Sequence, residues 1–291
     1  MAHPSLSPAH RGAVTLVGAG PGSVDLLTLG AARALAVAEV VVHDRLVSSE
    51  ILALASPDAR LIAVGKRKGS GWLQEDINQL LIDEANAGHR VVRLKGGDPF
   101  LYGRGSEEVR ALRSAGIPVD VIPGVSSALA APALAGIAVT SRGVSNACTI
   151  LSGHLIDDTA YDWSALARVP GTLVVLMGVT TARALASQLL AHGKPTDEPV
   201  AIVHAAGTDH QQTAYTDLAT LAVDGCPLES PAVIVIGAVA SPEAVEASPK
   251  ATGEVFGPRR GRPQSCLQTG QAVGLGQHLT RTAKIHEAAI G

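Results

Sequence analysis

Aromatic residues are scarce in this chain, with two Trp, three Tyr and two Phe in 291 residues. The core must therefore be packed from Ala, Val, Leu and Ile, which suits buried parallel strands under alanine-rich helices and points to an α/β fold. Cysteine is nearly missing too. Cys148, Cys226 and Cys266 stand far apart, with no CxxC pair and no His at ligand spacing, so neither a disulfide framework nor a metal site is expected. Reduced, structural thiols fit a cytoplasmic protein. Charge of one sign is lacking: 23 basic against 26 acidic residues leave a formal charge of −3. No global field draws such a chain onto nucleic acid or an anionic membrane. Long apolar runs are absent as well. The most apolar stretch, ALAAPALAGIAV, is too short to span a bilayer and contains Pro132, and the start, MAHPSLSPAHRG, lacks the apolar segment of a signal peptide.

What the sequence does have is alternation. Strand-length apolar runs cover 14–20 (VTLVGAG), 39–44 (EVVVHD), 60–66 (RLIAVGK), 90–96 (RVVRLKG) and 119–124 (VDVIPG). The clearest helix between them is SEEVRALRSAG, with Ser106 as N-cap, two acids in the first turn and Gly116 as C-cap. A second series, 146–153, 172–178, 199–207 and 231–237, follows PGVSSA and includes the helix pattern TTARALASQLLAHG. The expected organisation is a short N-terminal extension (1–12), an α/β domain over 13–124, a second over 125–245, and a flexible tail over 246–291 that is rich in Gly, Gln, Pro and Arg. With about a dozen residues before the first strand, a single activity is expected.

VTLVGAGPG reads like the start of a dinucleotide fold, with Asp44 placed after the second strand as a ribose-binding acid would be. Two details weaken a nicotinamide reading. The glycines are Gly18, Gly20 and Gly22, not G-x-G-x-x-G, and Pro21 removes an N–H that a pyrophosphate would need. RLKGGDPFLYGRG raises the same difficulty: its glycines offer bare backbone to a ligand, yet Asp98 at the centre would repel phosphate. Three charged loops, HDRLVS, VGKRKG and KGGDPFLYGRG, follow successive strands, and ligand sites in open parallel sheets form outside the carboxyl ends of strands. Asp44, Lys66 and Asp98 are therefore candidates for one cleft.

Taken in order, VGAGPG, HDRLVS, VGKRKG, RLKGGDPFLYGRGSEE, PGVSSA, SGHL and LMG resemble the tetrapyrrole methylase family from about residue 13 to 240. DRLVS together with RLKGGDP matches the branch that methylates uroporphyrinogen III; the glycine turn and a GDP loop are shared more widely. The resemblance implies two α/β domains with S-adenosylmethionine (SAM) folded between them, a homodimer, no metal, and methyl transfer to C2 and C7 of uroporphyrinogen III. The product would be precorrin-2, on the way to sirohaem or cobalamin.

Carried over by motif, Pro21, Gly96, Gly97, Asp98, Leu101, Ser126, Ser127, Met177 and Ala206 would hold SAM, releasing S-adenosylhomocysteine (SAH). SAM carries a sulfonium, an ammonium and a carboxylate but no phosphate, so an acid in a glycine loop suits its polar and cationic groups. The resemblance also implies Asp44 as proton acceptor and Lys66 as proton donor. The substrate is an octacarboxylate, which a net-negative chain binds only through clustered cations. Arg45 and Arg104 lead that set, followed by Lys66, Arg67, Lys68, Lys95, Arg142 and His154. His43, Ser141 and Leu176 depart from the family pattern, standing where Tyr, His and Tyr are usual. Two alternatives stay open: a family methylase acting on a later precorrin, ribosomal RNA or a modified histidine, and a nicotinamide-dependent oxidoreductase or nucleotide-binding module built on GAGPG.

Overall fold

Strand β1 (Ala13–Gly18) is buried at all six positions, as its unbroken apolar run requires of a strand covered on both faces. The computed structural model describes residues 12–65, 72–155 and 161–246. Nearly all of the expected N-terminal extension and tail, Cys266 and the Lys66, Arg67 and Lys68 candidates lie outside the described residues. β1 is an interior strand of a five-stranded parallel sheet with β2 (Val40–His43), β3 (Arg60–Ala63), β4 (Arg90–Lys95) and β5 (Val119–Ile122), in the order β3-β2-β4-β1-β5. Helices α1 (Leu29–Val37), α2 (Ser49–Leu52), α3 (Gln74–Asn86) and α4 (Gly105–Ser114) cross between its strands. One face packs Leu16, Leu81, Val91 and Leu112; the other packs Val17, Leu35, Val41 and Leu94.

The second sheet contains β6 (Cys148–Ser152), β7 (Thr172–Leu176), β8 (Pro199–His204), β9 (Gln212–Asp217) and β10 (Ala232–Ile236), in the order β6-β7-β10-β8-β9. It is mixed. β6 and β7 are parallel, whereas β10 runs antiparallel to both neighbours and β9 antiparallel to β8. Helices α5 (Ser127–Leu134), α6 (Trp163–Arg168), α7 (Ala182–Ala191), α8 (Leu218–Asp224) and α9 (Pro242–Glu246) accompany it. α5 follows β5 in sequence but packs on β7 and β10, burying Ala128 and Ala131 against Val174 and Val233. Both sheets belong to one compact unit.

One local expectation is corrected and one strand was not expected. Ser106 is not the N-cap of α4, because Arg104 holds that place with left-handed backbone (φ 58°) and no side-chain cap bond. The Gly105 N–H bonds to the Pro99 carbonyl at 3.1 Å, so a loop closure rather than a hydroxyl starts the helix. A Cβ on Gly105 would collide with that same carbonyl. The strand β9 has no apolar run. QTAYTD lies at the sheet edge, half-buried or exposed throughout, and pairing with β8 fixes it where periodicity gives little signal. It hands over to α8 through Asp217, whose carboxylate caps the helix by accepting from the Thr220 N–H at 2.7 Å.

That hydrogen bond holds the Asp217 carboxyl below its ordinary range. A depressed folded value stabilises above the unfolded carboxyl's pKa of about 3.9 and is lost as pH falls through the folded value. Asp217→Ala is expected to cost about 0.5 kcal/mol near pH 7, the low end for a cap because the carboxylate is solvent-screened, and nothing in strong acid. Urea denaturation at the two pH values checks it.

Candidate functional site

The loops after β1 and β4 meet at the carboxyl end of the first sheet. Gly20 and Gly97 exchange backbone hydrogen bonds, Gly97 N–H to Gly20 O at 2.8 Å and Gly20 N–H to Gly97 O at 3.2 Å. Gly18 and Gly124 pass the same point so closely that a Cβ on either would run into the other's main chain. Only bare backbone fits there. Asp98 fastens the crossing: its Oδ1 accepts from the Phe100 N–H at 2.8 Å and its Oδ2 from the Gly124 N–H at 3.1 Å. Each carboxylate oxygen thus already holds loop backbone, which explains an acid among glycines by shape before any ligand is considered.

Beyond this crossing a cavity of about 360 Å³ opens between the two sheets. Every residue expected to hold SAM lines it: Pro21, Gly96, Gly97, Asp98 and Leu101 from the first sheet's loops, Ser126 and Ser127 at the start of α5, and Met177 and Ala206 from the second sheet's loops. Asp44 lines it too. Sequence reasoning missed other walls, including Leu46, Tyr102, Val203, Thr208, Pro231 and Val233. The lining is largely apolar, with hydroxyls and backbone at the edges. Gly97 adopts φ 65° and presents its Cα hydrogens toward Ser127, with no atom nearer than 3.7 Å to an added Cβ.

Backbone strain gathers at the same place. Among the described residues, the non-glycine positions with positive φ are Tyr102 (53°), Arg104 (58°), Met177 (56°) and Ala205 (46°). Three of the four line the cavity, and Arg104 starts the helix beside it. Such backbone costs about 1–3 kcal/mol per residue and persists where surrounding contacts impose it, commonly at binding sites. Met177 follows β7 in this conformation and is 38% exposed, so it is a cavity wall rather than a core filler.

Tyr102 spans the gap. Its hydroxyl donates to the Ile150 carbonyl of β6 at 2.8 Å, and burial raises the phenol's pKa. Tyr102→Phe is expected to lower folding stability by about 1 kcal/mol, the net worth of one hydrogen bond. Scanning calorimetry reads this directly.

The cation candidates divide. Arg45, Arg104, Arg142 and His154 are exposed. Arg104 is engaged by Glu107, with Nε to Oε1 at 2.9 Å and Nη2 to Oε2 at 2.6 Å. That pair is solvent-exposed and contributes little to stability. Lys95 is a correction, for it is 3% exposed and gives its ammonium to Glu108 at 2.9 and 3.0 Å rather than facing a substrate. Burial pushes its pKa down, Arg93 adds to the effect, and Glu108 and Asp44 oppose it. Arg93, which sequence reasoning passed over, places Nη2 2.5 Å from Asp44 Oδ1. His43 Nδ1 lies 3.0 Å from the Asp44 carbonyl, and Leu176 lines the cavity.

Comparison with known proteins decides the family. Residues 13–222 match the sequence model for Tetrapyrrole (Corrin/Porphyrin) Methylases. The chain belongs to the tetrapyrrole methylase family. Siroheme synthase 1 of Klebsiella pneumoniae is 46% identical over 230 residues, 78% of this chain and 49% of that protein. The siroheme synthase of Methylobacillus flagellatus is 45% identical over 79% of this chain and 50% of its own. The chain therefore spans about half the length of the curated relatives it matches. A Thermus thermophilus uroporphyrin-III C-methyl transferase, solved with S-adenyl homocysteine, is 43% identical with a TM-score of 0.69, covering 78% of this chain and 98% of that one. Cys148 and Cys226 are free. No helix among the described residues is long and apolar enough to cross a membrane.

Proposed function

We propose that this methylase transfers methyl groups from SAM to C2 and C7 of uroporphyrinogen III, giving precorrin-2. One observation carries the reading: the Gly96–Gly97–Asp98 loop, Ser126–Ser127 and Met177 converge on one cavity in a chain that aligns with 98% of the Thermus enzyme. Lys66, a homodimer and a cytoplasmic setting belong to the same reading, as does the division into domains over 13–124 and 125–245.

The cavity suits the donor on its own chemistry. Its apolar walls Leu46, Leu101, Val203 and Val233 take an adenine, and the rim supplies hydroxyls and main chain for a ribose and an amino acid. When bound, SAM supplies an electrophilic methyl group. The pyrrole carbons of the reduced macrocycle are enamine-like nucleophiles, so placement accounts for most of the work. The chain's own residues bind, orient and move protons. Asp44, at the cavity edge with 35% of its side chain exposed, is positioned to accept the proton that the ring loses after methylation. Arg45, next to it in sequence, and Arg104, at the N-cap of α4, are exposed and supply cations for the macrocycle's carboxylates.

The test is incubation with uroporphyrinogen III and SAM under anaerobic conditions, with the product's absorption spectrum as readout. The precorrin-2 spectrum is expected. Tight NAD binding with no calorimetric response to SAH would overturn the reading.

A further inference from the structure

Beneath the cavity, Lys95, Glu108 and Arg93, which the proposed chemistry does not use, form a chain of contacts that ends at Asp44. Arg93 and Lys95 lie two residues apart on β4, hence on one face of a parallel sheet. α4 covers them with Glu108, whose side chain is fully buried. Glu108 Oε1 accepts from Arg93 Nε at 3.1 Å, Lys95 Nζ at 2.9 Å and Gln74 Nε2 at 3.2 Å; its Oε2 accepts from Lys95 at 3.0 Å. Arg93 spends Nη1 on the Val42 and Leu94 carbonyls and reaches Asp44 with Nη2. Two acids face two bases. An isolated buried charge would be costly, so each member is tolerable only while the others remain.

We propose that Glu108 is a positioning residue: from under the sheet it balances Arg93 and Lys95, so that Arg93 holds the Asp44 carboxylate at the cavity edge in its working orientation. Glu108 has no access to the cavity, and its effect on Asp44 passes through the guanidinium. The inference rests on the reading of Asp44 as proton acceptor. Other charged groups act on the same cluster. Arg104 and Glu107, in the first turn of α4, interact through space with Glu108 and Lys95 respectively. The His43 ring touches the Asp44 carbonyl, and Arg45 packs its Cβ against Gly65. None of these joins Glu108 to Asp44 by direct contact as Arg93 does.

Losing the Glu108 charge leaves two buried cations facing Asp44 alone, which lowers that carboxylate's affinity for a proton. The experiment compares wild type, Glu108→Gln and Glu108→Gln/Lys95→Met. Its readouts are the pH dependence of kcat and the carbon-13 NMR titration of the Asp44 carboxyl, assigned by its disappearance in Asp44→Asn. In Glu108→Gln both midpoints should move down by about one pH unit, with kcat falling about threefold and the KM for SAM unchanged. The double variant restores charge balance and should return both midpoints to the wild-type position. A purely structural role predicts instead that the double variant is worse than the single.

An Asp44 midpoint that stays put in Glu108→Gln overturns the coupling, and so does a double variant that fails to restore it. Should Glu108→Gln not fold, Lys95→Met compared with the double variant decides: the Asp44 midpoint must lie higher in Lys95→Met, where Glu108 keeps its charge, and equal midpoints overturn the coupling. If wild type makes no precorrin-2 while the NMR midpoints move as described, the functional reading falls and the coupling stands.

Discussion

Asp44→Asn is expected to lower kcat by about a hundredfold or more, the usual contribution of a positioned proton acceptor, while SAH affinity stays at the wild-type level. The amide keeps the carboxylate's shape and can still accept from Arg93 Nη2, so the cavity retains its outline. What it loses is the capacity to hold a proton. The same change leaves Arg93 and Lys95 opposed by Glu108 alone, and Arg93 is 3% exposed. Because 35% of the Asp44 side chain meets solvent, screening limits the stability cost to about 1 kcal/mol. Turnover with uroporphyrinogen III, calorimetry with SAH and a thermal melt separate the three effects. Equal losses of turnover and SAH affinity would mean that Asp44 serves the donor rather than the proton.

Gly124→Ala should damage the protein by another route. A Cβ there meets the Gly97 carbonyl, with Gly18 Cα at 2.7 Å and Gly18 C at 2.8 Å behind it. All three are main chain and cannot swing aside as a side-chain tip would. Overpacking of this kind lies at the upper end of its range, about 3 kcal/mol, or roughly 6–12 °C in Tm. The displaced segment also carries Ser126 and Ser127 and receives the Asp98 carboxylate, so SAH binding should disappear along with stability. Gly96→Ala is the contrast. Its Cβ has only Leu46 Cβ within reach, at 3.9 Å, and enters the cavity. That variant should melt like wild type yet bind SAH poorly. If Gly124→Ala melts normally, the close crossing is not a fixed part of the fold.

Reading by residue type went furthest where local chemistry fixed the outcome. The apolar runs became strands within a few residues, because continuous Val, Leu and Ile can be buried on both faces only inside a covered sheet. The cavity residues came together because each sits at a strand end or a helix start, where loops converge. The misses share a cause: each depends on a partner distant in sequence. β9 is a strand only because β8 pairs with it. Lys95 looked like a surface cation because nothing near it in sequence announces Glu108, 13 residues away. A signal was nevertheless present. Two cations at period two in a buried strand require an acid on the covering helix, and GSEEVRALRS supplies one. The antiparallel β10 carries no such mark, since AVIVI reads alike in either direction.

The two faces of the first sheet draw their cores from residues between Val14 and Ile122, whereas those of the second draw theirs from Ala128 to Ala240. Every core residue of the first sheet is therefore synthesised before any of the second's, and the groove between the sheets is complete only when Met177 and Ala206 arrive to close its far wall.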